Sequence, residues 1–436
     1  MRHFLPRHGL FFLICFLPLT ALHAQEQGRL LTLEAALASV TSAHPDLLLA
    51  QAERESAIAE RDIAASRLDS SIYFEGILRS GLRTSAPQEF APDNSVRLTA
   101  RKTLYDFGRS SAAEQAGASE LNAREAEMIT ARDRRRMEVM SRFFEVLIAD
   151  MQFTADNEMM AVIFVGFDQG KENFRAGKIS SIELAEIETR YQDILVKRTA
   201  SAQRQRITRA LLANALNRPG NLPGDLEDPK LEGNERVLPE YEALLATLLA
   251  NNPRLLAQQQ MLAASQQRLE SLRAEKGPLL DAEVQAADYS RSAVTRDNLS
   301  AGLILSWPLY QGSRADARVA KELAQYNKLH AGAEKLKMEL TQALLETWLE
   351  IVQLKSAVRS AAKKQVDYRD LVLERSRGLY ELELKSNLGT AMADTVEANL
   401  RTRRTEYLLA LAFARLEAIS GMPLAGNQLN NLKDKK

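Results

Sequence analysis

Two kinds of periodicity alternate along this chain. Four short segments place apolar residues at every second position, the spacing of a strand with one apolar face. In the first, Ile72, Phe74, Gly76 and Leu78 oppose Tyr73, Glu75 and Arg79. In the second, Val96, Leu98, Ala100 and Leu104 oppose Arg97, Thr99, Arg101 and Thr103. In the third, Leu280, Ala282, Val284 and Ala286 oppose Asp281, Glu283 and Gln285, and in the fourth Leu299, Ala301, Leu303 and Leu305 oppose Ser300, Gly302 and Ser306. Elsewhere the apolar positions recur in steps of three and four, as in Leu336, Leu340, Leu344, Leu345, Trp348, Ile351, Val352 and Leu354.

Proline placement sets the length of those helical stretches. None occurs between Pro92 and Pro219 or between Pro308 and Pro423, and both intervals are rich in Ala, Glu, Arg, Leu and Gln. Helices are predicted from Arg109 to about Arg175 and from Ser313 to about Arg377, each roughly 65 residues or about 100 Å long. Gly166, Gly170 and Gly177 are expected to loosen the end of the first, and Gly378 to end the second. Ser180 to Asn217 and Ser386 to Ser420 return as second helices. Such lengths fit coiled-coil hairpins better than a compact core.

The whole plan occurs twice. His44-Pro45 answers to Asn252-Pro253 at an offset of 208. Leu104-Tyr-Asp-Phe-Gly-Arg109 returns as Leu309-Tyr-Gln-Gly-Ser-Arg314 at 205, and Phe174 to Ser180 as Tyr380 to Ser386 at 206. Residues 25–238 are therefore read as one repeat: a helix, strands 71–83 and 95–105, a hairpin over 109–217 and a segment 218–238. Residues 239–436 form the second: a helix, strands 279–290 and 298–309, a hairpin over 313–421 and a tail.

Composition narrows the setting. Arg2 and Arg7 precede an apolar run from Gly9 to Leu19, too short to span a bilayer, so residues 1–24 are expected to be a cleaved secretory signal. The only cysteine, Cys15, lies in it, and His44 and His330 are the histidines beyond it. Disulfides, thiolate catalysis and histidine-based metal or acid–base chemistry are thus not expected. Basic and acidic residues balance at 57 each, which gives no global pull toward nucleic acid. The run Arg132, Arg134, Arg135, Arg136, broken by Asp133, reads as a solvated helix face. Neither a phosphate-binding glycine loop nor a nucleophile elbow occurs, so no enzyme and no cofactor is expected.

Each strand is about ten residues, enough to cross a membrane when tilted. Four strands cannot close a membrane barrel, and an open sheet edge is not tolerated in lipid. Several chains must then close it together; three would supply twelve strands. A soluble sheet would need covering, and ribbon-like helices of this length cannot cover it.

In these paired motifs, and in the closing Ala414-Arg-Leu-x-Ala-Ile-Ser-Gly421, the chain resembles the TolC-type outer-membrane efflux proteins along nearly all of its length after the signal. The resemblance implies a mostly helical protein with membrane β-structure. Duplicated helical hairpins would form a periplasmic α-barrel, and four strands per chain would enter the twelve-stranded β-barrel of a homotrimer. It implies an exit duct in the cell outer membrane, serving a tripartite efflux or type I secretion system. Its partners would be outer-membrane lipid, a periplasmic adaptor and an inner-membrane RND or ABC transporter. The competing reading is a periplasmic coiled-coil adaptor or scaffold without membrane strands. In the duct, Ile72, Phe74, Leu78, Val96, Leu98, Leu303 and Leu305 are expected to face lipid, and Glu75, Arg79, Arg97, Arg101, Asp281 and Glu283 to line the lumen. By position, Glu183, Tyr380 and Lys385 take the places of the family's periplasmic gate residues, whereas Met392 stands where many members carry a constriction acid, with Asp394 and Glu186 nearby. Arg218 to Leu238 and the tail after Gly421 are the candidates for an equatorial belt.

Overall fold

The computed structural model describes residues 30–40, 43–82, 89–291, 296–384 and 386–423. The expected signal, Lys385, most of the C-terminal tail and the tips of the two interstrand turns lie outside the described residues. In the first half the chain forms α1 (Leu33–Ala38), α2 (Pro45–Ala65), β1 (Ser70–Ile77), the short β2 (Ser80–Leu82) and β3 (Phe90–Pro92), β4 (Ser95–Tyr105), α3 (Arg109–Arg175) and α4 (Ser181–Ala215). In the second half come α5 (Tyr241–Asn251), α6 (Pro253–Ala274), β5 (Leu279–Tyr289), β6 (Leu299–Ser306), α7 (Arg314–Gln353), α8 (Arg359–Glu381) and α9 (Leu388–Ser420).

The duplicated motifs are helix starts. His44 caps α2, its Nδ1 accepting the Asp46 N–H at 3.2 Å, with proline in the first turn where a missing donor costs nothing. Asn252 does the same for α6: its Oδ1 accepts the N–H groups of Arg254 and Leu255 at 2.9 and 3.2 Å. Its amide also donates to the Ile419 carbonyl at 2.8 Å, which ties the start of α6 to the end of α9. At the strand-to-helix junction, Asp106 accepts the Ser110 N–H at 2.7 Å, while Phe107 and Gly108 take positive φ to turn the chain from β4 into α3.

The four long strands form one antiparallel sheet in the order β1-β4-β5-β6. The central β4–β5 pair joins the two halves of the chain, and β1 and β6 are the edges. Tyr73 pairs with Thr99, Thr99 with Gln285 and Gln285 with Ser300, so one register runs across the sheet. A bulge between Thr103 and Tyr105 ends the regular alternation just above α3.

Two buried clusters hold the helices together. One joins α1, α3, α4 and α9 around Val139, Phe143, Phe144, Leu212 and Tyr407, with the Phe144 and Tyr407 rings stacked at 4.7 Å. The other joins α5, α6, α7 and α9 around Leu248, Leu344, Ile351, Phe413 and Leu416. Leu345 and Val352 of the apolar series stay exposed, because the partner surface covers only the stripe from Leu340 to Leu354. Residues 218–238 wrap across this junction. Leu31 bridges to Leu226, the Tyr407 hydroxyl donates to Asp228 at 2.7 Å, and the Asn234 amide donates to the Glu406 carbonyl at 2.9 Å.

Several local expectations differ from the fold. The helix predicted at the start of each half is broken in two, before Pro45 and before Pro253, because proline cannot continue a helix already begun. Gly166 and Gly170 lie inside α3; Gly170 lets the Ile187 side chain of α4 approach, since a Cβ there would sit 3.0 Å from it. The helix expected to end at Gly378 runs on to Glu381. Arg135 is not on a solvated face: it is 4% exposed, pairs with Glu138 and donates to the Ala215 carbonyl, so it satisfies the C-terminus of α4.

The second long helix is also not continuous. Leu354–Val358 forms a π turn between α7 and α8, while α3 runs unbroken through the equivalent place. The change of offset from 205 at the strand junction to 206 at the hairpin tip is this one extra residue. A π turn accommodates a single inserted residue without ending the helix.

Candidate functional site: strand faces and hairpin tips

Strand alternation divides the sheet by chemistry. Ile72, Phe74, Val96, Leu98, Val284, Leu299, Leu303 and Leu305 share one face through the cross-strand register, and all are exposed, Phe74 at 73% and Leu303 at 68%. An exposed sheet face with this many large apolar side chains needs an apolar cover. Among the described residues, no helix supplies one.

The opposite face carries charge. Glu75 lies across from Arg97, with the nearest atoms 3.5 Å apart; Arg101 pairs with Glu283, its Nε donating at 2.8 Å; Thr103 donates to Asp281 at 2.8 Å. Five of the six residues expected to line a lumen thus lie on one face. Arg79 does not belong to that sheet. It follows β1 and pairs with Asp93, which also meets Arg296, while Arg291 donates to the Pro92 and Gly81 carbonyls at 2.8 and 2.7 Å. Leu78 likewise stands beyond the end of β1. These contacts lace the far ends of the two strand pairs together.

At the other end of the molecule lie the hairpin tips. The first turns at Gly177, where φ is positive, and α4 begins with a reciprocal cap. The Ser180 N–H and hydroxyl donate to Glu183 Oε2 at 2.7 and 2.9 Å, and the Glu183 N–H donates to Ser180 Oγ at 3.2 Å. These bonds hold the Glu183 carboxyl below its ordinary range. The second tip turns at Glu383, also at positive φ, with Tyr380 exposed. Within one chain, then, Glu183 serves its own helix. Of the acids near Met392, Asp394 pairs with Arg369 across α8 and α9 at 2.7 Å, and Glu186 pairs with Arg190 one turn along α4.

Between sheet and tips, a polar cluster that the sequence did not single out fastens 232–239 to the second hairpin. Arg359 donates to Glu406 at 2.7 Å and pairs with Glu235, Lys355 donates to the Arg236 carbonyl, and the Trp348 indole donates to the Pro239 carbonyl at 3.0 Å. The Arg236 guanidinium lies 4.7 Å over the Phe413 ring and pairs with Glu417. In the sequence, this place was marked only by the reading of Arg218 to Leu238 as a candidate equatorial belt.

Among the described residues, no group of three His, Cys, Asp or Glu side chains is placed to hold a metal ion, and no helix is long and apolar enough to cross a membrane.

Residues 244–421 match the family model described as outer membrane efflux protein. No curated protein sequence matches the chain. Among solved structures, the outer membrane protein VceC of Vibrio cholerae superposes with a TM-score of 0.71 at 15% identity, over 89% of this chain and 96% of that one. A membrane protein of Pseudomonas aeruginosa gives a TM-score of 0.72 at 15% identity, over 92% of each chain. The CmeC outer membrane channel of Campylobacter jejuni gives 0.71 at 14% identity, over 89% of this chain and 85% of that one. Over residues 244–421 the chain matches the outer membrane efflux protein family model, and the described chain as a whole has the fold of the solved outer-membrane channels.

Proposed function

We propose that this chain is one of three subunits of an exit duct in the cell outer membrane, through which substrates pass passively from the periplasm, or from an inner-membrane pump, to the exterior. The observation that carries this reading is the sheet: four antiparallel strands with an uncovered apolar face and two unpaired edges, β1 and β6. Backbone groups at those edges would be unsatisfied in lipid. A neighbour's β6 against this chain's β1, repeated three times, closes a twelve-stranded barrel with the apolar face outward and Glu75, Arg97, Arg101, Asp281 and Glu283 inward. The two halves, 25–238 and 239–436, act as repeats around it, and the helical hairpins extend into the periplasm. There the tips would meet a periplasmic adaptor, and through it an RND or ABC transporter. Glu183, Tyr380 and Lys385 form the gate in this reading, with Glu183 exchanging its cap for a neighbouring tip. The scaffold alternative requires a chain without membrane strands, and this sheet argues against it.

The test uses single cysteines, which is clean because Cys15 is the only native one. Cysteines along β1 (positions 72, 74 and 76) are combined with cysteines along β6 (301, 303 and 305) and oxidised in native membranes. A cross-linked ladder ending at three chains is expected. A ladder ending at two, or no cross-link in any combination, would overturn the trimeric duct.

A further inference from the structure

Lys102 breaks the chemistry of its face. The apolar face of the four long strands carries two charged residues: Asp288, paired with Val96 at the far end, and Lys102, near the helices. In its row Lys102 lies between Ser70 and Ala282, with Leu303 beyond. It is exposed, and among the described residues its ammonium has no hydrogen bond or ion pair. The β4 bulge brings a second polar group to this face. Thr103 pairs with Asp281 on the charged face, but Tyr105 pairs with Leu280, whose partner is Leu305, and so stands on the apolar one. Tyr105 is 56% exposed and packs edge-on against Phe107 at 4.6 Å, while its hydroxyl has no partner among the described residues. It stands one row nearer the helices than Lys102, about 7 Å along the sheet. The duplication fixes the depth of this pair. At the offset of 205 that relates the strand-to-helix junctions, Lys102 answers to Trp307 and Tyr105 to Tyr310. Along the ladder Lys102 is level with Leu303, four residues before Trp307. Strands tilted to a barrel axis produce such a stagger, so equivalent residues share one depth. Trp307 is exposed, with its indole N–H on the Lys276 carbonyl at 3.2 Å, and tryptophan is the residue type of the bilayer–water boundary. Lys102 takes that place in the first repeat.

We propose that Lys102 and Tyr105 bind the phosphate of an anionic phospholipid in the periplasmic leaflet, one lipid per chain. A lysine at this depth keeps its stem in hydrocarbon and extends its ammonium toward the headgroups, which is the direction of Tyr105. Ammonium and phenol then both donate to one phosphate, and the acyl chains lie over Ile72, Ala100 and Val284, the row next to Lys102 on the same face. No carboxylate of the strands shares this end of the face, so a lipid of net negative charge is favoured over a zwitterionic one. The second repeat, with tryptophan in place of the lysine, has no equivalent site. The inference rests on the duct reading, in which this face meets lipid.

Native mass spectrometry of the protein purified from membranes tests this, with phosphatidylglycerol and phosphatidylcholine offered in equal amounts. Lipids are counted per chain, so the reading holds whatever the oligomer, and the oligomer mass in the same spectrum shows that each variant is assembled like the parent. The parent is expected to retain one phosphatidylglycerol per chain in preference to phosphatidylcholine. Lys102→Gln should weaken that retention about fivefold, Lys102→Arg should keep it, and Tyr105→Phe should lower it in part. Excess inorganic phosphate should not displace the lipid. The site is overturned if Lys102→Gln retains phosphatidylglycerol as the parent does, if Lys102→Arg loses it as Lys102→Gln is expected to, or if the parent holds both lipids equally. Displacement by inorganic phosphate would make this a site for free anions and would also overturn it. Retention of neither lipid would sink both this site and the lipid-facing sheet. Equal retention by parent and Lys102→Gln removes the site alone and leaves the duct standing, so the two proposals fail separately.

Discussion

Gly421 ends α9 at a φ of 74°, and a Cβ there would sit 2.3 Å from the Asn251 carbonyl. Both facts demand glycine: the left-handed conformation costs an L-residue about 1–2 kcal/mol, and the contact adds a clash. The same close approach lets the Asn252 amide reach Ile419, and Asn252 is only 2% exposed. Gly421→Ala should therefore lower stability by more than the backbone term alone, read as a reduced melting temperature in detergent. An unchanged melt would mean that α9 and the α5–α6 junction do not approach this closely. Tyr407 makes a second sharp case. Its ring stacks on Phe144 in the core while its hydroxyl reaches Asp228, and burial together with that carboxylate pushes its ionisation far above the ordinary phenol range. Tyr407→Phe keeps the stack and loses a hydrogen bond to a charged group, a cost of about 1.5–3 kcal/mol. Urea unfolding of the variant measures it.

Among the elements, the strands make the most direct prediction. Leu98 and Thr99 are neighbours in sequence on opposite faces of β4. If the apolar face meets lipid, Leu98→Arg should cost about 2–4 kcal/mol near the mid-plane and Thr99→Arg much less. A membrane-impermeant thiol reagent should modify cysteines at 97 and 101 and spare those at 74 and 98; equal labelling would reverse the assignment of the faces. The start of α4 gives a pH-dependent case. The Glu183 carboxyl is held below its ordinary value of 4.5 by the Ser180 bonds, so the cap contributes stability that is fully present above that value. It is lost as pH falls through the lowered value. Exchange protection of the first turn of α4 should accordingly persist at neutral pH and disappear only in strong acid, and Glu183→Gln should reduce that dependence.

At the level of the whole molecule, the gate can be tested without knowing the cargo. Replacing Glu183, Tyr380 and position 385 by alanine should raise single-channel conductance in planar bilayers, because links between neighbouring tips would be gone. Single Ser180→Ala instead removes the hydroxyl bonds of the cap and leaves only the backbone N–H on the Glu183 carboxyl, so Glu183 stays available to a neighbouring tip and conductance should not rise. If the triple variant conducts like the parent, closure lies elsewhere along the tunnel. Asp394 and Glu186, the acids near Met392, are each bonded to an arginine, Arg369 and Arg190.

Periodicity in the chain placed most of the helices and strands, though not the breaks before Pro45 and Pro253 or the end of β1 at Ile77, because burial on one face imposes period two on a strand and a three-to-four step on a helix. Thus α3 begins at Arg109 and ends at Arg175, where the run without breakers does, and the apolar faces of β1 and β4 follow the alternation residue by residue. Duplicated motifs marked the helix caps, since capping is local chemistry. What the sequence left to the tertiary structure is whatever depends on residues distant along the chain. Arg135 reads as one more surface charge until Ala215, far away in sequence, presents its carbonyl. Arg79 follows the strand alternation yet stands at the break between β1 and β2, where it pairs with Asp93 across the same hairpin. The π turn registers in the sequence only as an offset changed by one. It falls where Lys355 and Arg359 meet 234–236 across the fold, contacts between residues far apart along the chain that no local periodicity records.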